Sequence, residues 1–174
     1  MTTDHLEVRA RRVVAGVGAD GKSTIVSDGF TDTRLATPAF TINQTWGVKS
    51  VPTHVLADNA LGMEAVIQPP PQGFYHVIAT FPPDSELDYE EFADSLAAAG
   101  ASDSFVEHDV PGMHQTDTVD IVTILSGETY VVLEKAETLL KAGDTFIQRG
   151  TKHRWRNKSD KPCVHSTVMI SASR

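Results

Sequence analysis

The sequence predicts an all-β protein whose strands close into a barrel or a double-sheet jelly roll. Two observations predict this class. Gly and Pro recur at short intervals along the 174 residues, and the runs between them are rich in Val, Ile, Thr and aromatic residues. From residue 105 onward, short runs of this kind follow one another at even spacing, which is typical of barrels and jelly rolls.

The first predicted elements form a hairpin. Residues 11–17 and 23–26 are β-rich runs on either side of Asp20-Gly21, where the glycine provides the positive φ that a tight turn requires. Later strands are bounded by turns of the same kind, such as Ser126-Gly127-Glu128. The other predicted strands are 40–48, 74–81, 118–125, 130–134, 145–148, 153–157 and 164–170.

Only one segment is predicted to be helical, residues 85–99. Its residues Leu87, Phe92 and Leu96 form an approximate apolar stripe, and its last residues are alanines, which favour helix. Gly100 follows as a natural end of the helix.

The chain is predicted to be one barrel with two additions. With 174 residues and 18.9 kDa it has the size of a single domain. We predict an N-terminal β-rich extension, 1–73, which packs on a barrel formed by 74–174. The helix falls in an acidic stretch at about 84–110, which we interpret as an insertion in the barrel.

Charge and composition narrow the function classes. The chain has 15 Lys and Arg against 23 Asp and Glu, which gives a formal charge of −8. An acidic chain repels phosphate backbones and anionic lipids, so we expect neither a nucleic-acid nor a membrane partner. The single cysteine, Cys163, allows no intrachain disulfide, and no apolar run approaches the roughly 18 residues that cross a bilayer. We predict a soluble, cytoplasmic protein.

Polar residues share a predicted strand face with apolar ones. His114, Thr116 and Asp120 lie in phase with Val122, so they belong to a face that is buried. Buried polar groups need partners, and buried charge needs a counter-charge or a metal. If His153 converges on His114 and Asp120, a divalent cation satisfies all three and keeps positions open for substrate or oxygen. A metal-free His–Asp hydrogen-bond network is the alternative interpretation.

The same residues resemble the two motifs of the cupin superfamily. The first motif has a His-x-His pair, a carboxylate three or four residues later and a glycine after six more. The second has spaced glycines followed by a histidine and an asparagine. The matching positions here are His114, Thr116, Asp120 and Gly127, then Gly143, Gly150, His153 and Asn157. The resemblance covers residues 111–174 and implies a double-stranded β-helix, the cupin form of the jelly-roll barrel.

Three departures from the cupin pattern affect the site. Thr116 stands where cupins usually carry the second histidine, Asp120 replaces the usual glutamate, and Gln148 replaces the usual proline. The resemblance therefore implies one divalent transition metal (Fe, Zn, Mn or Ni) held by three protein ligands, His114, Asp120 and His153. It also permits a cupin that works without a metal.

The resemblance implies an enzyme that acts on a small oxygenated molecule. With iron, the three-ligand site suits oxygen activation, so the leading expectation is a metal-dependent, oxygenase-like oxidoreductase. The alternatives are a non-redox metal-assisted lyase, isomerase, dehydratase or cyclase, and a cupin that binds a small ligand without catalysis. Because cupins often pair through edge strands and N-terminal arms, we also expect a homodimer.

Further candidates complete the predicted site. His108 lies in phase with His114 and is a candidate catalytic acid or base together with Asp120, or a replacement for the missing ligand. Arg154 is out of phase with His153, so we expect it to face solvent or a partner. The candidate substrate-binding residues are Thr116, Trp155 and His165.

Overall fold

Antiparallel β-strands form most of the regular structure, which confirms the predicted all-β class. The structure is a computed structural model, and it describes residues 4–101, 104 and 110–174. The strands are β1 (Arg11–Val17), β2 (Ser23–Phe30), β3 (Arg34–Ala36), β4 (Thr41–Val48), β5 (Phe74–Phe81), β6 (Thr118–Ser126), β7 (Glu128–Leu133), β8 (Glu137–Lys141), β9 (Thr145–Arg149), β10 (His153–Arg156) and β11 (Cys163–Ser171). The helices are α1 (Asp4–Glu7), a 3-10 turn (Asp84–Glu86) and α2 (Tyr89–Ala98).

The strands form one large sheet, one small sheet and a separate hairpin. The large sheet has six strands in the order β3-β4-β5-β11-β6-β9, and the small sheet has three in the order β10-β7-β8. Every pairing is antiparallel. β3 and β4 come from the N-terminal third of the chain, so this region supplies two strands of the large sheet as well as the β1–β2 hairpin.

Strand β6, next to the edge strand β9 of the large sheet, is the element that positions the site. β6 pairs with β11 on one side and with β9 on the other. Its side chains alternate as the sequence predicts: Asp120, Val122 and Ile124 are buried, whereas Ile121 is 39% exposed. A carboxylate is therefore built into the same face of the strand as the apolar core.

Helix α2 covers one side of the large sheet. Phe92 and Leu96 of α2 are buried in a core cluster with Phe40, Ile42 and Val77. The helix begins at Tyr89, later than predicted, because residues 84–86 form a tighter 3-10 turn and Leu87 is extended (φ −99°, ψ 125°). Among the described helices, none has the length and apolar character to cross a bilayer.

The N-terminal hairpin makes few contacts with the rest of the fold. β2 is exposed along its whole length, including Ile25 at 58% and Phe30 at 59%. Two-stranded hairpins alone are only marginally stable in water, and exposed apolar patches commonly mark interaction surfaces. The exposed apolar residues of the hairpin thus make it a candidate surface for a partner.

Candidate functional site

A cavity of about 90 Å³ lies between the large sheet, strand β10 and helix α2. Its lining is mostly apolar, with imidazole, carboxyl and hydroxyl groups at a few places. The polar lining residues are Ser104, His114, Thr116, Asp120, His153, His165 and Thr167. The apolar ones are Phe40, Ile42, Val66, Ile67, Val77, Ala79, Phe81, Phe92, Leu96, Val122, Trp155 and Met169. Such a cavity fits a small organic molecule that has few polar groups.

His114 and His153 stand side by side on one wall of this cavity. Their backbones form an isolated antiparallel bridge, with N···O distances of 2.9 and 3.0 Å, although 39 residues of sequence separate them. Residues opposite each other in such a pair share a face. The two imidazole centroids are consequently only 4.3 Å apart.

Both imidazoles are held in one tautomer. Nδ1 of His114 donates to the carbonyl of Gly112 (3.1 Å), and Nδ1 of His153 donates to the carbonyl of Thr151 (3.0 Å). Each ring therefore keeps its Nε2 lone pair for another group. Burial lowers the pKa of both histidines, and for His153 the neighbouring His114 lowers the pKa further. Both rings are neutral at neutral pH.

The loop before His114 is fixed by a residue that the sequence analysis placed wrongly. Arg154 is only 4% exposed, not directed to solvent, and its Nη1 donates to the Pro111 carbonyl (2.6 Å). Strand phase shows on which sheet face a side chain lies, but it does not show that residues 110–113 cover that face. Gly112 has φ +80°, which lets the loop turn so that its carbonyl meets the His114 ring.

Asp120 brings a carboxyl group into the apolar part of the cavity. The residue is 5% exposed, and its Oδ1 has no hydrogen-bond partner among the described residues. Burial raises the pKa of this carboxyl from 3.8 to about 6, and a hydrogen bond with the Thr118 side chain opposes that rise in part. A carboxyl group of this pKa can hold or release a proton near neutral pH.

The three predicted metal ligands line the same cavity but do not form a three-ligand cluster. In the described part of the chain, no group of three or more His, Cys, Asp and Glu side chains is close enough to hold an ion. His114 and His153 suit a metal as a pair, because a metal-ligating imidazole usually donates its other nitrogen to a carbonyl or carboxylate. Asp120 lies on β6 opposite Gln148 and Met169, and it does not join the His114–His153 pair in a three-ligand group. The complete set therefore does not fit a metal in this arrangement.

The remaining predicted site residues also line the cavity, with one exception. Thr116 is buried and its hydroxyl bonds that of Thr118 (2.7 Å). Trp155 packs edge-on against His165, with centroids 4.8 Å apart. Burial lowers the pKa of His165 to about 3, so this imidazole is neutral. The predicted catalytic residue His108 lies outside the described residues.

Phe92 is a cavity residue that the sequence analysis assigned only to a helix stripe. Its ring packs against the His114 imidazole, with centroids 5.8 Å apart, and against Phe40 at 6.2 Å. The apolar spacing of the helix was the available signal, and it indicated burial without indicating which element the helix covers. Helix α2 therefore forms part of the wall next to the imidazole pair.

The fold is a jelly-roll barrel with a partly polar internal cavity, and part of the chain matches a known family model. Residues 105–169 match the family model described as the cupin domain. The matched region contains both motifs, so the predicted resemblance to the cupin superfamily is confirmed over this region. Cupins commonly bind a metal, but this match does not specify one for this chain.

Short stretches of the chain also resemble curated fungal proteins. The chain is 48% identical over 48 residues to phomopsin biosynthesis cluster proteins C′ and D of Diaporthe leptostromiformis, covering 27% of this chain and 25% of each relative. It is 46% identical over 50 residues to oryzines biosynthesis cluster protein J of Aspergillus oryzae, covering 28% of both chains. The matched stretches thus span about a quarter of the length of these relatives.

Solved cupin structures resemble the fold only distantly. A cupin 2 conserved barrel domain protein from Salinispora arenicola is 13% identical, with a TM-score of 0.42 and coverage of 76% of both chains. A cupin superfamily protein from Desulfitobacterium hafniense is 12% identical, with a TM-score of 0.39 and coverage of 62% of this chain and 73% of the other.

Proposed function

We propose that this chain is an enzyme that transfers protons on a small organic molecule bound in the barrel cavity, as a lyase, isomerase or cyclase does. One observation carries the proposal. The Asp120 carboxyl is 5% exposed and faces a mostly apolar cavity, with an oxygen that no described protein group satisfies. Such a group costs stability, and proteins retain costs of this kind mainly at functional sites.

Each polar residue has a role in this proposal. Asp120 removes a proton from the substrate or returns one to it, because its carboxyl is desolvated and within the cavity. His114 and His153 hold the substrate's polar group through their Nε2 atoms, since their Nδ1 atoms are occupied by carbonyls. The apolar walls exclude water, which strengthens these interactions.

The relatives support a role in making a small molecule. The curated proteins that share stretches of this sequence are named for the phomopsin and oryzines biosynthesis clusters. We propose a biosynthetic reaction on that basis, and we extend the proposal to a cytoplasmic protein. The predicted oxygenase-like chemistry requires a metal and belongs to the second candidate function below.

Proton transfer can be tested without knowing the natural substrate. 1,2-Benzisoxazole is a small aromatic molecule whose ring opens when a base removes its C3 proton: the C–H electron pair completes the nitrile, the N–O bond breaks, and the oxygen leaves as a phenolate. We expect saturable ring opening by the purified protein, followed by ultraviolet absorbance. Asp120→Asn should lose most of this activity.

The matched control is Asp117→Asn. Asp117 is three residues away and exposed, and its carboxylate pairs with Arg174 (2.5 Å), so this change should leave ring opening unaffected. Equal rates for wild-type protein and Asp120→Asn would contradict the proposal. If benzisoxazole binds without reaction and Asp120→Asn keeps the affinity, the chain is instead a ligand-binding cupin.

A metal-dependent enzyme is the second candidate, and the imidazole pair is the observation that favours it. Both Nδ1–H groups are tied to backbone carbonyls, which is the arrangement that orients metal-ligating histidines. A metal held there would supply Lewis-acid or oxygen chemistry. Elemental analysis of the purified protein tests this candidate: stoichiometric iron with oxygen uptake supports an oxidoreductase, and stoichiometric zinc, nickel or manganese without oxygen uptake supports a non-redox enzyme. No bound metal, with no loss of stability in His153→Ala beyond that of a core substitution, would contradict it.

A further inference from the structure

Two residues of the cavity wall have buried polar atoms that no described group satisfies. They are Oδ1 of Asp120 and Nε2 of His165. The two residues are 5% and 1% exposed, and both line the same cavity. Buried polar atoms are nearly always paired in folded proteins, and leaving one unpaired is costly. Two such atoms in one cavity indicate a ligand that bonds to both.

The two atoms belong to residues that are well separated along the cavity wall. On β6, Asp120 stands opposite Met169 of β11, whereas His165 of β11 stands opposite Ile124 of β6. The two positions are therefore four residues apart along the strand direction, or roughly 13 Å at about 3.3 Å per residue. Both side chains line the cavity.

The wall between Asp120 and His165 combines an apolar side chain, a hydroxyl and aromatic rings. Val122 lies midway on β6, and its register partner Thr167 lies midway on β11. At the far end, the His165 ring packs against Phe81 (4.9 Å between centroids) and Trp155 (4.8 Å). A molecule that reaches both residues therefore meets polar groups at its two ends and a mostly apolar wall along its body.

The size of the cavity favours a molecule with one ring. Its volume of about 90 Å³ is of the same order as the roughly 150 Å³ cavity that accepts benzene in another protein. Aromatic neighbours suit a flat ring, because aromatic rings pack well edge-on and offset against one another.

We propose that the cavity binds a single-ring molecule with hydrogen-bonding groups at opposite ends, one donating to Oδ1 of Asp120 and the other bonding to Nε2 of His165. His165 then determines specificity, because its Nε2 favours a ligand with polar groups at both ends over a ligand with a polar group at one end only. This inference rests on the proposed function in taking the cavity as the ligand site. It adds the class of ligand and a residue that determines specificity.

Calorimetric titration of purified wild-type protein with three molecules of equal shape tests the inference. 4-Hydroxybenzyl alcohol is polar at both ends, while 4-ethylphenol and 4-methylbenzyl alcohol each lack one hydroxyl. We expect the first to bind about tenfold more tightly than either of the others, since each loses a bond to a buried atom. In His165→Phe, 4-hydroxybenzyl alcohol should bind no more tightly than the better of its two analogues.

Several outcomes would overturn the inference. Equal affinities of the three molecules for wild-type protein would do so, and so would the absence of binding by all three. A preference that persists in a folded His165→Phe would remove the role of His165; if this variant does not fold, the wild-type series still decides the ligand class. If the three molecules bind with the expected preference but benzisoxazole is not opened, the inference stands and the proposed proton transfer is contradicted. If benzisoxazole is opened but the tenfold preference is missing, the proposed proton transfer stands and the inference is contradicted.

Discussion

Replacing Asp120 with Asn should make the protein more stable at neutral pH and less active. Burial raises the pKa of this carboxyl from 3.8 to about 6, so the folded state holds its proton more tightly than the unfolded state. As the pH rises from about 4 to about 6, the folded state must keep a proton or bury a charge. The contribution of Asp120 to stability therefore falls through this window, and the cost is complete above about pH 6.

The size of the effect follows from the same pKa. One pKa unit corresponds to about 1.36 kcal/mol, so the change from 3.8 to about 6 is worth on the order of 3 kcal/mol. Asn has similar size and no charge, and it escapes this cost. The free energy of unfolding of Asp120→Asn should match that of wild-type protein near pH 4 and exceed it by up to about 3 kcal/mol at pH 7 and above.

Buried histidines change the pH dependence of stability in the opposite direction, but their contributions cancel when wild-type protein is compared with Asp120→Asn. Burial lowers the pKa of His114, His153 and His165 in the folded state. At acid pH the unfolded chain therefore takes up protons that the folded state does not, and these three histidines lower the stability of the fold as the pH falls. Both proteins contain all three, so the difference between their unfolding free energies reports Asp120.

Urea unfolding followed by tryptophan fluorescence at several pH values between 4 and 8 measures this difference. Asp117→Asn is the control, because its carboxylate is exposed and its ion pair with Arg174 is worth at most about 1 kcal/mol. That variant should be no more stable than wild-type protein. An Asp120→Asn variant that is equally or less stable at pH 7, with no dependence of the difference on pH, would refute the burial argument.

Three further predictions concern residues other than Asp120. Arg154→Gln should lose about 1–3 kcal/mol of stability and shift the imidazole NMR resonances of His114, because the bond to the Pro111 carbonyl in the loop before His114 is lost. Unchanged resonances would show that Arg154 does not position His114. Wild-type protein should have the mass of a homodimer in light scattering, and Ile25→Ser with Phe30→Ser should yield a monomer, since both side chains are exposed on the hairpin; a monomeric wild-type mass would contradict this. Cys163 is fully buried with a pKa raised to about 12, so it should react with a thiol reagent only after unfolding, and rapid labelling of folded protein would disprove it.

The alternation of buried and exposed side chains along single strands is the feature of the fold that the sequence predicts well. The alternation of buried and exposed positions on β6 follows directly from the order of its polar and apolar residues. Short edge strands were missed because they carry little pattern. β3 has only three residues, and β8 has a single fully buried position, Leu140.

Contacts between distant segments are the part that periodicity cannot supply. The pairing of His114 with His153 depends on how β10 and the preceding loop meet, and the family motifs indicated it where strand phase did not. The same motifs implied that Asp120 completes a metal site, but its position in the described structure depends on register with β9 and β11. Motif spacing predicts which residues face the barrel interior, and it does not fix the distances between them.

The placement of Asp120 connects the stability of the barrel to its proposed chemistry. An apolar residue on β6 would pack against Val122 and Met169 without an unsatisfied oxygen, and the barrel would be more stable. The chain instead keeps a carboxyl in the same cavity as two imidazoles whose tautomers are already fixed, and a third imidazole farther along the strands has a nitrogen that no described residue satisfies. Packing alone explains none of these groups, whereas a bound molecule with polar ends satisfies the carboxyl and the far imidazole together. Stability gained in Asp120→Asn and His165→Phe, with ligand preference lost in the latter, would therefore locate the function in the cavity before any substrate is known.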